Sequence, residues 1–257
     1  MPYALVTGAS KGIGKAIALE LAKHHYDILL TARSADLLSS VASEISGKYP
    51  IKVEYLPLDL TLPGSPQQLL NWCTENKYSI EVLVNNAGFG LGGPFDSVKP
   101  EQNSGMLQLN VITPTLLCQL FVPLLKKNKQ SYILNIISSA AYQAVPLLSI
   151  YSASKAYLLS FTRALHHELK EFNISVTAAS PGPTDTDWIH TARITGKALK
   201  MAAKVNMQPS EVAEIAVKAM LAKKIEVIAG FMNKAGAFFA WLLPRNFVEK
   251  TAGKMYR

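Results

Sequence analysis

Tyr151 and Lys155 stand four residues apart in SIYSASKAYLLSF, and Ser138 lies thirteen residues before the tyrosine in LNIISS. On a helix an i,i+4 pair shares one face, so the lysine ammonium can sit against the phenol. A free tyrosine has a pKa near ~10 and exchanges protons poorly at neutral pH. Bringing it to about 7 takes roughly 4 kcal/mol of differential stabilisation of the phenolate, at about 1.4 kcal/mol per unit. A neighbouring cation is the direct source of that stabilisation. Tyr-x-x-x-Lys is also a common pattern on helix surfaces, so the pair needs support from the rest of the chain.

Support comes from the N-terminus. TGASKGIG (residues 7–14) follows a strand-like run and opens a helix, with glycines at 8, 12 and 14. A Gly-rich turn between strand and helix lets the backbone approach a pyrophosphate, which the helix N-terminus stabilises. The spacing is G-x-x-x-G-x-G, and a tight strand-to-helix turn wants glycine for steric reasons too. After the second apolar run comes Thr31-Ala32-Arg33-Ser34. An enzyme that selects NAD places an acid here for the ribose 2′-OH, whereas an arginine accommodates a 2′-phosphate. Arg33 occupies that place, and Lys11 in the glycine turn is a second cation, which predicts NADP(H).

The elements that must hold these residues read as an alternation of short apolar runs and helix-period segments. Strands are expected at Tyr3–Thr7, Ile28–Ala32, Val53–Leu58, Ile80–Val84, Ser131–Ile137, Ser175–Ala179 and Lys224–Ile228. Helices are expected at Ile13–His25, Ser34–Gly47 (capped by Ser34), Pro66–Lys77, Pro100–Lys127, Ser149–Phe172 and Ser210–Ala222. Continuous apolar runs suit strands buried on both faces. The pattern predicts an α/β fold, a doubly wound, parallel, seven-stranded Rossmann-type sheet in a single domain spanning 1–257. With 49% hydrophobic and 17% charged residues, the 257-residue chain can build a sizeable core.

These motifs together resemble the short-chain dehydrogenase/reductase family over nearly the full length. They are TGASKGIG, Asp59 after the third strand, NNAG (85–88) after the fourth, Asn110, Ser138, YSASK (151–155) and PGPTDT (181–186). The resemblance implies that Asn110, Ser138, Tyr151 and Lys155 form a catalytic tetrad. In it Ser138 polarises a carbonyl, Tyr151 acts as general acid, and Lys155 lowers the tyrosine pKa and reaches the nicotinamide ribose. Asn110 would hold a water linking Lys155 to solvent. A one-residue gap in the following loop would select Ser139 instead of Ser138. The resemblance also implies that Asp59 contacts the adenine amino group, that NNAG lines the adenine ribose, and that Pro181, Gly182, Thr184 and Thr186 seat the nicotinamide. The full cofactor set is then Gly8, Ser10, Lys11, Gly12, Ile13, Gly14, Arg33, Ser34, Asp59, Leu60, Asn86, Ala87, Gly88, Tyr151, Lys155, Pro181, Gly182, Thr184 and Thr186. The implied activity is NADP(H)-dependent interconversion of a ketone and a secondary alcohol on an apolar substrate. A 3-oxoacyl thioester (CoA or carrier protein) reductase is the alternative, and a non-catalytic NADP-binding sensor is the reading from another class. The subgroup it is most similar to is the DltE-like, long-chain ketoacyl and hydroxysteroid reductases. The resemblance further implies a homodimer or homotetramer built on the two long helices.

Some features exclude other classes. No His/Cys/Asp cluster has metal spacing, so no metal is expected. His166 and His167 read as surface or interface residues, and His24 and His25 end a helix. Cys73 and Cys118 read as reduced core thiols of a cytoplasmic protein, and MPYALVTG has no charged n-region of a signal peptide. Residues 1–189 hold 14 basic and 14 acidic residues, and 190–257 hold 12 basic and four acidic, so the whole net charge of +8 lies in the last part. No recognition motif for nucleic acid accompanies it.

The segment from about 184 to 208 reads as a substrate lid in which Trp188, Ile189 and Ile194 line an apolar pocket, faced by Leu91 and Phe95. The apolar stretch Gly230–Leu243, within a segment 230–257 that carries basic flanks, is too short to span a bilayer. It is expected to close the core, to join an oligomer, or to meet a membrane surface or an acidic carrier.

Overall fold

The computed structural model describes residues 1–186 and 206–256. Among them, the elements run β1 (Tyr3–Thr7), α1 (Gly12–Lys23), β2 (Asp27–Ala32), α2 (Ala35–Lys48), β3 (Val53–Pro57), α3 (Ser65–Glu75) and β4 (Ile80–Asn85). Then come α4 (Pro100–Leu107), a π-turn (Gln108–Ile112), α5 (Thr113–Leu125), β5 (Ser131–Ile136), a 3₁₀ turn (Ser139–Tyr142), α6 (Ser149–Glu168) and β6 (Ile174–Ser180). The chain ends with α7 (Pro209–Leu221), β7 (Glu226–Ile228), α8 (Phe231–Leu242) and α9 (Arg245–Tyr256).

The seven strands pair in the order β3-β2-β1-β4-β5-β6-β7, every pair parallel. Alternate strand residues face opposite sides, and β1 shows the consequence. Ala4 and Val6 join the core layer of Ile17, Leu21, Leu38 and Val217. Leu5 joins the opposite layer of Leu69, Leu117, Phe121 and Ile133. Strands buried on both faces lose the polar alternation of a half-exposed sheet, which is why their apolar runs were continuous. Chain order reverses between β1 and β4, so the carboxyl ends of these strands open the crevice where doubly wound sheets bind ligands.

Helix ends obey local chemistry. The Ser34 hydroxyl accepts from the Leu37 N–H at 3.4 Å and caps α2. His25, one residue past the C-cap of α1, takes a left-handed φ of 62°.

Two expected helices differ in detail. The helix expected at 149–172 ends at Glu168, and Lys170–Phe172 form a 3₁₀ turn closed by Asn173 at φ 55°. The helix expected at 100–127 is interrupted at Gln108–Ile112. Pro114 has no N–H for the Asn110 carbonyl four residues earlier, and its ring crowds that carbonyl. The Thr113 N–H bonds back to Gln108 O instead, a five-residue step. By length and composition alone Pro100–Leu125, with a mean hydropathy of 1.4, could cross a membrane. Its Leu117, Cys118, Phe121 and Leu125 are core residues against the sheet. Cys73 and Cys118 are buried and unpaired, and burial pushes both thiols up to about 12.

Candidate functional site

The carboxyl ends of β1, β4, β5 and β6 converge on a cleft of about 1650 Å³. At one end, the first strand-to-helix turn forms a cradle that only glycine permits. A Cβ on Gly14 would collide with the Gly8 carbonyl oxygen and the Asn86 amide, so α1 packs directly on the turn. Gly8 itself sits at φ 65°. Thr7 locks this turn to the segment after β4. Its hydroxyl donates to Val84 O at 3.0 Å and accepts from the N–H groups of Asn86 and Ala87 at 3.0 and 3.1 Å. The Asn86 amide returns two bonds, to Thr7 O at 3.0 Å and Gly8 O at 3.1 Å. Thr7 is not among the predicted site residues, although it begins the motif that contains them.

Ser10, Lys11, Gly12, Ile13, Arg33, Ser34, Asp59, Leu60, Asn86, Ala87 and Gly88 all line this end. Gly14 does not; it is buried beneath the turn. The Asp59 carboxylate accepts from the Thr61 N–H at 2.9 Å and from its hydroxyl at 2.7 Å. Burial works against that charge, but the two Thr61 bonds and the nearby Arg33 outweigh it and lower the Asp59 pKa.

At the other end lie the residues of the predicted tetrad. Tyr151 and Lys155 come from the first two turns of α6, and both are buried. The Lys155 ammonium donates to Ile136 O at 2.9 Å and lies 6.0 Å from the centre of the Tyr151 ring. Burial lowers its pKa from 10.5 to about 8. Ser138 follows β5 and caps the 3₁₀ turn, its Oγ accepting from the Ala140 N–H at 3.2 Å. Ser139 lines the cleft beside it and donates its N–H to Pro181 O at 2.8 Å. Asn110 sits in the π-turn, buried behind the cleft wall. Its amide donates to Phe89 O at 2.8 Å and Ser154 Oγ at 3.2 Å, and its oxygen accepts from the Phe89 N–H at 3.1 Å. It therefore ties the loop after β4 to α6. A Cβ on Gly88 would lie 2.9 Å from Asn110 Oδ1 and 3.5 Å from Lys155 Nζ, so that loop threads close to both.

Pro181, Gly182, Thr184 and Thr186 line the floor between the two ends. Past Thr186 the predicted lid residues Trp188, Ile189 and Ile194 lie outside the described residues. The two ends of that segment are clasped: Asp185 N–H bonds Met207 O at 2.9 Å and Met207 N–H bonds Pro183 O at 3.1 Å. Leu91 lines the cleft as expected. Phe95 does not; it belongs to a 3₁₀ turn (Phe95–Ser97) that turns its ring out to solvent, 72% exposed.

Two contributions escape the motifs. Tyr142 lines the cleft four residues after Ser138, and its hydroxyl donates to Glu226 Oε1 at 2.6 Å. Arg163 pairs with the same carboxylate at 2.5 Å, joining the 3₁₀ turn, α6 and β7. Glu226 is 84 residues from Tyr142, so no local spacing reveals the link. The second contribution is α8, which lays Asn233 on Gly182 so closely that no side chain fits there. Its Met232, Gly236, Ala237, Phe239, Ala240 and Leu243 form an apolar wall. Asn233, which with Lys234 breaks an otherwise apolar run, was the available signal. Of the roles left open for this apolar stretch, closing the core falls away: no residue of α8 is buried.

The chain is similar to known proteins in sequence and in fold. A family profile described as short chain dehydrogenase matches residues 2–197. Hydroxysteroid dehydrogenase-like protein 1 of Gallus gallus is 31% identical over 197 residues, 76% of this chain and 59% of that protein. The very-long-chain 3-oxoacyl-CoA reductase of Anas platyrhynchos is 35% identical over 185 residues, 70% of this chain and 58% of that protein. The chain thus spans less than two thirds of both relatives. Among solved structures, a short-chain dehydrogenase from Sphingobium yanoikuyae in complex with NADPH superposes with a TM-score of 0.81 at 28% identity, covering 89% of this chain and 87% of that one. With the profile covering most of its length and the motifs gathered at one cleft, this chain belongs to the short-chain dehydrogenase family.

Proposed function

We propose that the cleft binds NADP(H) and reduces an apolar ketone to a secondary alcohol, or runs the reverse oxidation. The residues fit the dinucleotide. The turn around Gly8 and Gly14 has no room for side chains where a pyrophosphate approaches, and Lys11 and Arg33 line the same end of the cleft. No acid stands at the ribose position, so the cations favour a 2′-phosphate. Bound there, the dinucleotide supplies the hydride, and the protein supplies orientation and electrostatics.

The observation that carries the reading is the convergence of Ser138, Tyr151 and Lys155 on one cleft, braced by Asn110. Ser138 donates a hydrogen bond to the substrate carbonyl oxygen as charge grows on it. Tyr151 gives that oxygen its proton. With a pKa of about 8, Lys155 is still about nine tenths protonated at pH 7. Its charge therefore stabilises the phenolate that Tyr151 leaves. The apolar wall of α8 selects an apolar substrate body. A screen of NADPH oxidation against ketones of increasing chain length tests the reading; no turnover with any ketone or secondary alcohol would overturn it.

A second reading, 3-oxoacyl thioester reduction, is favoured by the basic excess of residues 190–257, which suits an acidic CoA or carrier. Adding free acids and thioesters to the same screen separates the two. The oligomer belongs to the proposal as well. Leu107, Ile112, Leu116 and Tyr157 are exposed on α4, the π-turn, α5 and α6, an apolar face suited to a second copy.

A further inference from the structure

Helix α8 is apolar around its whole circumference, apart from Asn233 and Lys234, yet it lies on the surface. At 100° per residue its residues divide into two halves. Met232, Asn233, Gly236, Ala237, Phe239, Ala240 and Leu243 fall on one half, and every one of them lines the cleft. Phe231, Lys234, Ala235, Phe238, Trp241 and Leu242 fall on the other, and none of them does. Phe231 is 82% exposed, Trp241 79%, and Phe238 and Leu242 more than half. The rings of Phe238 and Trp241 meet at a tilt of 41°, 6.1 Å between their centres. A helix apolar on all sides is normally buried or set in a membrane, and the cleft accounts for only one side of this one.

Charge identifies what covers the other side. Lys234 lies within the outer half, and Arg245, Lys250 and Lys254 follow on α9 against Glu249 alone. All four cations are exposed, and none forms an ion pair among the described residues. A second copy on a two-fold axis would bring this positive surface against itself. An anionic lipid surface complements it, with Trp241 and the phenylalanines entering the acyl boundary and the cations meeting the headgroups. We propose that the outer face of α8, with the adjoining cations of α9, docks the protein on anionic membranes. The other face of the same helix walls the catalytic cleft, so docking places the apolar wall of the cleft one helix diameter from the lipid.

Flotation of the full-length protein with vesicles tests this surface independently of the reaction. Binding is expected to vesicles of phosphatidylcholine with phosphatidylglycerol, not to phosphatidylcholine alone, and to weaken as salt rises. Lys250→Gln and Lys254→Gln should each lower the partition roughly fivefold, the weight of one cation near an anionic leaflet. Trp241→Glu should lower it further while leaving the thermal melt and turnover of a water-soluble ketone unchanged. No flotation on anionic vesicles at low salt would overturn the proposal, as would flotation that Trp241→Glu does not reduce. Light scattering in which Trp241→Glu halves the particle mass would overturn it in favour of a second copy on this face.

Discussion

At the scale of single residues, the proton chemistry makes distinct demands on Tyr151 and Lys155. Tyr151→Phe should keep NADPH affinity and lose at least about a hundredfold in turnover, the lower range for removing a positioned general acid; near wild-type turnover would remove Tyr151 from the reaction. Lys155 carries a second signature in stability. Its folded pKa of about 8 lies below the ordinary 10.5, so between those values the unfolded chain binds more protons and stability rises with pH. Below pH 8 the protein holds a buried charge at a cost of a few kcal/mol, since each tenfold loss of proton affinity corresponds to about 1.4 kcal/mol. Lys155→Met should therefore melt higher than the wild type at pH 7, with the gap closing toward pH 10, while activity is lost. Melting curves with no such pH dependence would show that the charge is not held at that cost. Arg33→Ala removes a charge-assisted bond worth about 1.5–3 kcal/mol, so NADPH affinity should fall roughly ten- to a hundredfold and NADH affinity should not; calorimetric titration with both cofactors reads the difference. Arg33, Tyr151 and Lys155 were visible in the sequence because their chemistry depends on short spacings. Tyr142 was not, because its partners Glu226 and Arg163 come from elements far along the chain.

At the scale of elements, the strands were the most legible part, since burial on both faces favours the nearly continuous apolar runs of the central β1, β2 and β4. Their ends agree with the expected spans to within two residues. The π-turn was less visible, although its cause was present: Pro114 removes the donor that Asn110 O would need. The extra residue offsets α4 from α5: Met106 packs with Val145 and Tyr151, while Leu117 and Phe121 join the core layer against the sheet. The glycine turn is the element most exposed to substitution. Gly14→Ala drives a methyl group into the Gly8 carbonyl, where backbone cannot yield. Overpacking of this kind costs about 1–3 kcal/mol, and the melting temperature and NADPH affinity should fall together. A variant that binds normally would show that the turn has more room than the structure gives it.

At the scale of the whole molecule, the apolar faces of α5 and α6 predict self-association. Light scattering should show a dimer or tetramer, and Leu116→Glu should lower the mass, since Leu116 is exposed on α5 next to Thr115, whose hydroxyl shares a hydrogen bond of 3.2 Å with that of the exposed Tyr157 on α6. A stable monomer at micromolar concentration would contradict this. The C-terminal segment was the least legible part, because an apolar run reads alike whether it fills a core, lines a cleft or meets another surface. Only the fold separates the two halves of α8. The clasp between Pro183–Asp185 and Met207 has a consequence for how such an enzyme changes over generations. Because both ends of the segment are pinned to each other, its length is uncoupled from the placing of Ser138, Tyr151 and Lys155. Doubling a loop between fixed ends costs only about 0.6 kcal/mol. Insertions and deletions between Thr186 and Asn206 should therefore leave Ser138, Tyr151 and Lys155 where they are, making this stretch a natural place for divergence and for engineering.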